Sequence, residues 1–328
     1  MSTPDIDRTL LVIGGSGFFG KSILDASRRG LLDPWSIGHV IVMARSASHL
    51  RVTHPALVTP RPGCTLELLD ADIARVDTLP EARFVIHAAA SADASRYLAA
   101  PVAERDNILG AASNYARLAA RFHRTSRVVF CSSGAVYGQQ PSTLAALPET
   151  FAALPIDAMP EAKRPYAAAK RDAEAIFQTL GAAGLAVSIA RCFAFVGPHL
   201  PRDRHFAIGN FLEDALQGRP VRVLATHPVW RSYQHADDLV RWLMTICAAA
   251  SPACPTFNVG SGEAYLVGDV ARRVAQAAGV EAEVPALIDA PVDRYVPSVA
   301  RAREQLGLRC ELSLDEAIAA TLLSLRVA

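Results

Sequence analysis

Six short runs of this chain look like strands, and several of them are apolar nearly throughout: TLLVIGG (9–15), HVIVMAR (39–45), TLELLDAD (65–72), FVIHAAA (84–90), RVVFCSS (127–133) and AVSIARC (186–192). A strand with one face in water alternates, whereas a run apolar throughout is covered on both faces, as in a parallel sheet between helices. Helix-like stretches at 20–29, 103–123 and 166–180 separate the runs. That alternation specifies an α/β fold, a Rossmann-type doubly wound parallel sheet. After residue 192 the rhythm breaks, and Pro198, Pro201, Pro220, Pro228, Pro252 and Pro255 punctuate shorter elements. The expected organisation is a sheet domain over 1–192, with about 231–250 packing back on it. A smaller, interleaved C-terminal lobe then takes 193–230 and 251–328.

Bulk properties narrow the function. With 328 residues, 51% hydrophobic, 20% charged and formal net charge +1, the chain has the composition of a globular protein. Near-neutral charge gives nucleic acid or an anionic membrane no reason to bind. No run is long enough to span a bilayer, and the start, MSTPDIDR, lacks a signal-peptide core. Six cysteines, at 64, 131, 192, 247, 254 and 310, show no CxxC pairing. They read as reduced, buried thiols of a cytoplasmic protein rather than a disulfide framework.

The first apolar run enters GGSGFFG, with Gly14, Gly17 and Gly20 at its turn. Glycines there allow a tight turn, close approach of backbone to a pyrophosphate, and close helix–strand packing; the helix N-terminus then offers free amides to phosphates. A dinucleotide cofactor is the expectation. The second run ends in VMARSASHL, where an acid would accept hydrogen bonds from the ribose of NAD. Arg45, Ser46 and Ser48 stand there with no acid nearby, which suits a 2′-phosphate and favours NADP, with NAD still possible. The competing reading makes Arg45 an ordinary solvated arginine.

Downstream, RPYAAAKRDAEAIF places Tyr166 and Lys170 four apart, on one face of a helix. A nearby ammonium stabilises phenolate, which a general acid/base needs near neutral pH. Lys170 is also placed to hold the nicotinamide ribose. YxxxK arises by chance in many helices. Its weight comes from the glycine turn upstream and from the serine pair Ser132–Ser133 at a strand end.

With these motifs in order, the chain resembles the extended short-chain dehydrogenase/reductase family, in the branch acting on nucleotide sugars, over almost its whole length. GGSGFFG matches the cofactor turn, LLDADI places Asp72 at the adenine contact, and PVAERDNILGAASN places Asn107 at a structural asparagine. The resemblance implies cofactor contacts from Gly14, Gly17, Phe18, Phe19, Gly20, Arg45, Asp72, Ile73, Ala88, Ala89 and Lys170. It implies catalysis by Ser133, Tyr166 and Lys170, and substrate contacts from Ser91, Asn210 and Arg231. RCFAFVGP, RSYQHADDL and FNVGSGE resemble substrate-side signatures, and Arg231 falls where relatives hold a diphosphate. A homodimer through a helix bundle is the usual assembly of such proteins.

Some features depart from the family. Gly134 and Ala135 stand where 4,6-dehydratases carry an acid, and they cannot transfer a proton. Ala194 replaces a frequent asparagine, LATHPVWR replaces a glycine–acid–glycine turn, and the proline-rich stretch between Ser133 and Tyr166 is long. Asn210 is placed either to reach a substrate phosphate or simply to start a helix. His199, His205, His227 and His235 match no ligand spacing, so no metal is expected. Cys131 reads as a core residue rather than a nucleophile.

The leading expectation is an NADP-dependent oxidoreductase reducing a 4-keto group on a nucleotide-activated sugar. A nucleotide-sugar epimerase uses the same three residues. A reductase of a non-sugar ketone and a non-catalytic NADP sensor complete the alternatives. Sensors usually lose the tyrosine or lysine, and this chain keeps both.

Overall fold

The structure, a computed structural model, describes residues 5–90, 99–202 and 206–327. The chain forms two compact units, each assembled from three stretches. The first comprises Met1–Val136, Pro160–Arg191 and Val240–Phe257. The second comprises Tyr137–Met159, Cys192–Leu239 and Asn258–Ala328.

The first unit carries the sheet. Its strands are β1 (Thr9–Ile13), β2 (His39–Ala44), β3 (Thr65–Asp70), β4 (Phe84–His87), β5 (Arg127–Ser133) and β6 (Ala186–Cys192). A further strand, β11 (Thr256–Val259), completes a seven-stranded order β11-β6-β5-β4-β1-β2-β3. The registered pairs β1–β2, β1–β4, β2–β3 and β4–β5 all run parallel. Every residue of β1 and β2 is buried, which explains their unbroken apolar sequence. The edge strand β3 instead alternates exposure along its length. Strand order reverses between β1 and β4, so the C-terminal ends of these two strands flank the topological switch point.

Among the described residues, the helices of this unit are α1 (Phe18–Arg28), the single turn α2 (Leu50–Thr53), α3 (Pro101–Phe122) and α4 (Arg164–Ala182). Pro101 and Pro165 each stand in a first helical turn, where a missing N–H costs nothing. α3 and α4 pack side by side. Beneath them lies an aromatic stack, with Phe130 and Phe177 at 4.3 Å and Tyr115 against Phe177 at 5.6 Å between ring centroids. His87, fully buried at the end of β4, is ringed by Tyr115, Phe177 and Phe130 at 5.1, 5.3 and 5.8 Å.

The second unit is built from short pieces. β7 (Phe195–Val196) pairs with β10 (Gln234–His235), and β8 (Val221–Arg222) pairs with β13 (Ala282–Glu283). β9 (Val229–Arg231) lies between β12 (Tyr265–Leu266) and β14 (Asp293–Tyr295). Helices α5 (Ala207–Leu216), α7 (Val267–Ala278) and α9 (Leu314–Val327) pack on one another, and α8 (Ala300–Leu306) precedes the last of them. α6 (Ala236–Ala248) lies mostly in the segment that returns to the first unit.

The proline-rich stretch 137–159, read above with the sheet domain, groups with the second unit, and the returning segment is Val240–Phe257. Hydrogen bonds account for that grouping. The Tyr137 hydroxyl donates to Asn258 Oδ1 at 2.8 Å, and Asn258 Nδ2 donates to the Leu147 carbonyl at 2.8 Å. Gln140 Oε1 accepts from the Val296 amide at 2.9 Å.

Candidate active site

The glycine turn lies at the switch point. Gly14 has φ +84° and donates to the Met43 carbonyl at 2.8 Å, tying the end of β1 to β2. A Cβ on Gly14 would stand 2.7 Å from the Ala88 carbonyl group and from Ala89 Cα, so the turn lies directly against the chain leaving β4. Gly20 faces inward on α1, where a Cβ would meet Gly15 backbone atoms at 2.0–2.3 Å. The N-cap of α1 is Gly17, which makes no side-chain cap hydrogen bond, and the positive end of a helix dipole favours an anion there. Gly14, Gly17, Gly20, Ala88 and Ala89 thus converge on one edge of the sheet. A turn this close to the neighbouring backbone, at a helix N-terminus, suits a dinucleotide pyrophosphate.

Phe18 and Phe19 pack edge to face at 5.8 Å at the start of α1. Asp72 Oδ1 accepts from the Ala74 amide at 3.0 Å, and Ile73 is buried beside it. The loop that carries them is pinned by Asn114, whose amide donates to the Ile73 and Val76 carbonyls at 2.7 and 2.8 Å. Asn107, expected in a structural role, is exposed instead. Arg45 is exposed just past β2. The end of β2, expected above to lack a nearby acid, does have one, because strand pairing sets Asp70 of β3 opposite Ala44. Ser48 donates to the Asp70 carboxylate through its backbone N–H at 2.7 Å and through its hydroxyl. These bonds hold the Asp70 carboxyl below the usual carboxylate range. Ser48, expected to serve a phosphate, is therefore committed to Asp70.

The catalytic candidates meet where β5 ends against α4. Lys170 is 3% exposed, and its Nζ donates to the Cys131 carbonyl at 2.8 Å. The same ammonium stands 5.0 Å from the Phe130 ring centre and 5.9 Å from that of Tyr166. Tyr166 is half-buried, one turn before Lys170 on α4. Ser133 closes β5; its Oγ accepts from the Ala135 amide at 3.2 Å, which leaves its own O–H free to donate. The turn beyond, Gly134–Tyr137, brings no carboxylate. Such a set can move a proton through a phenol held beside an ammonium. Cys131 contributes its backbone carbonyl while its thiol is buried.

Sequence reasoning missed a buried network alongside. The Ser132 hydroxyl donates to Glu174 Oε1 at 2.5 Å. Arg191 at the end of β6 grips the same carboxylate, with Nη2 at 2.7 Å from Oε2 and Nε at 3.0 Å from Oε1. One signal was available: Glu174 continues the four-residue stripe of Tyr166 and Lys170.

In the second unit, Arg231 on β9 is engaged by β14. Its Nη2 donates to Asp293 Oδ2 at 2.7 Å and its Nη1 to the Trp230 carbonyl at 2.8 Å. Asn210 is exposed in the first turns of α5. Ser91 and His205 lie outside the described residues. A cavity of roughly 210 Å³ is walled by Val223, Val229, Val267 and Val284, with His227 and Arg272 at its polar side. Among the described residues no group of three His, Cys, Asp or Glu side chains is placed to hold a metal, and no helix is long and apolar enough to cross a membrane.

A family model described as the NAD dependent epimerase/dehydratase family matches residues 10–260. UDP-glucuronic acid decarboxylase 1 of Xenopus tropicalis is 26% identical over 327 residues, spanning 96% of this chain and 71% of that protein. UDP-glucuronic acid decarboxylase 5 of Arabidopsis thaliana is 25% identical, over 94% of this chain and 86% of its own length. Among solved structures, dTDP-glucose 4,6-dehydratase of Streptomyces venezuelae, with NAD bound, superimposes with a TM-score of 0.79 at 22% identity, covering 97% of both chains. UDP-glucose 4-epimerase of Thermotoga maritima gives 0.74 at 20% identity, covering 97% of this chain and 99% of that one.

Proposed function

Because the chain belongs to the NAD-dependent epimerase/dehydratase family, we propose that it oxidises and re-reduces a carbinol carbon, C4, of a nucleotide-activated sugar, as an epimerase does. One observation carries the reading: Tyr166 and Lys170 share a face of α4, with the ammonium tied to β5 two residues before Ser133. A nicotinamide cofactor, when bound, supplies the hydride acceptor. Tyr166 takes the hydroxyl proton as the C–H bond gives up its hydride, and returns a proton to oxygen when the hydride comes back. Lys170 stabilises the phenolate that accepts this proton and would hold the nicotinamide ribose. Ser133 donates its hydroxyl to the sugar oxygen and fixes its approach.

The curated relatives are decarboxylases, and the structural neighbours named above are an epimerase and a dehydratase. None carries the 4-keto reductase name expected from sequence. The turn after β5 supplies no acid for eliminating water, which speaks against the dehydratase outcome. A uronic acid oxidised at C4 would become a β-keto acid and lose carbon dioxide, so decarboxylation is a product to look for in the same assay. A second reading, reduction of a 4-keto sugar with NADPH, is favoured by Arg45, which stands exposed past β2 to meet a 2′-phosphate. In the second unit, Arg231 and Asn210 are the proposed contacts to the nucleotide diphosphate, with Ser91 on the sugar. A cytoplasmic location and a homodimer through α3 and α4 complete the proposal.

The test is to denature freshly purified protein and identify any released dinucleotide by mass spectrometry. Near-stoichiometric cofactor means recycling within each turnover and supports the epimerase. An empty site that binds NADPH more tightly than NADH overturns it in favour of the reductase. Incubation with UDP-glucose and UDP-glucuronic acid then separates epimerisation from loss of carbon dioxide.

A further inference from the structure

Two successive turns of α4 grip two successive residues of β5. Lys170 Nζ reaches the carbonyl of Cys131, and one turn later Glu174 receives the hydroxyl of Ser132. A third bond, from Arg171 Nε to the Val136 carbonyl at 2.8 Å, ties the same helix to the turn that follows β5. Behind Glu174, Arg191 holds the carboxylate from β6. Glu174 is 4% exposed, and both oxygens of its carboxylate are occupied.

A buried ion pair of this kind is a weak source of stability, since an apolar replacement of similar volume is often as stable. Its geometry has a different effect. Apolar packing lets a helix slide on a sheet by fractions of an ångström, whereas a carboxylate shared between a serine on one strand and an arginine on the next admits one register. That register decides where Tyr166 and the Lys170 ammonium, carried together on α4, stand relative to the end of β5.

We propose that Glu174 is a positioning residue: through Ser132 and Arg191 it locks α4 in register with β5 and β6, and thereby places Lys170 for the ribose on the nicotinamide side of the cofactor. This rests on the reading that Lys170 contacts that ribose. Glu174 itself touches neither cofactor nor substrate. Its influence falls on the nicotinamide half of the site and spares the adenosine half, which is built from α1 and the ends of β1 to β3.

Equilibrium binding of whole dinucleotide against adenosine-half fragments tests it, with no need for a sugar. Dissociation constants of NADPH and NADH are compared with those of 2′,5′-ADP and ADP. Lys170→Ala is expected to weaken the dinucleotides about tenfold and Glu174→Gln about fivefold, each leaving the fragments within about twofold. Ser132→Ala, which removes one hydrogen bond and keeps the ion pair, should move the same ratio in the same direction by a smaller factor. The double variant Lys170→Ala/Glu174→Gln should lose no more than Lys170→Ala alone. If Lys170→Ala is selective for the dinucleotide while Glu174→Gln and Ser132→Ala are not, the positioning role is overturned and the ribose contact survives. Should Glu174→Gln weaken dinucleotide and fragment equally, its role is support of the fold and the proposal is overturned. If Lys170→Ala itself shows no selectivity, the ribose contact and the positioning role are overturned together.

Discussion

The isolation of His87 predicts a measurable acid sensitivity. Its imidazole is fully buried among three aromatic rings, and neither ring nitrogen has a hydrogen-bond partner among the described residues. Burial first, and the Lys170 ammonium second, lower its pKa to about 3. In the unfolded chain a histidine titrates near ~6.5. The folded-state value is depressed, so below pH ~6.5 the unfolded state binds one more proton than the folded state, and stability falls as pH falls. The slope approaches ~1.4 kcal/mol per pH unit, giving a loss of about 2 kcal/mol between pH 7 and pH 5. The loss levels off below the folded-state value. Against a total stability of roughly 5–15 kcal/mol this is a large share. Replacing His87 by Phe removes the titrating group and leaves an aromatic ring among aromatic rings. Any packing penalty is independent of pH and cancels when each protein is compared with itself. His39, His54 and His123, also lowered chiefly by burial, contribute equally to both proteins. Urea unfolding of wild type and His87→Phe at pH 7 and pH 5 reads the difference, with m-values checked for constancy. Parallel pH dependences in the two proteins would refute the reasoning.

Other perturbations address the site. Tyr166→Phe should lower turnover by about 10²–10⁴-fold while the protein still binds its dinucleotide; turnover near wild type would assign the acid/base elsewhere. Arg45→Asp should raise the dissociation constant of NADPH far more than that of NADH in a fluorescence titration, and equal losses would sink the phosphate contact. Gly20→Ala forces a methyl group onto the Gly15 backbone, so thermal unfolding should show a cost of about 1–3 kcal/mol along with weakened dinucleotide binding. Unchanged binding would mean the turn and helix can separate without cost.

What the sequence disclosed and what it withheld divide along a physical line. β1 and β2 were legible because burial on both faces writes an unbroken apolar run. The pair Tyr166 and Lys170 was legible because helical spacing is local. Asp70 was not, since its meeting with Ser48 depends on which strand lies beside β2. The Glu174–Arg191–Ser132 network joins residues 17 and 42 positions apart, and Arg231 meets Asp293 across 62. No local pattern marks such partners. The stretch 137–159 is proline-rich and carries no local mark of its partners, because its allegiance rests on Asn258 and Val296, more than a hundred residues on.

The division of the first unit into three separate stretches governs how this protein can be made. Its last stretch ends at Phe257. At roughly 5–20 residues per second, a ribosome needs on the order of 13–50 s to deliver that residue. Until then the glycine turn and the Tyr166 helix belong to a body that cannot close, and the stretch 137–159 waits for partners not yet synthesised. Cutting the chain at the end of the sheet strands would yield no working half. A split-protein or domain-exchange design would have to carry 240–257 along with the sheet and 137–159 along with the smaller unit.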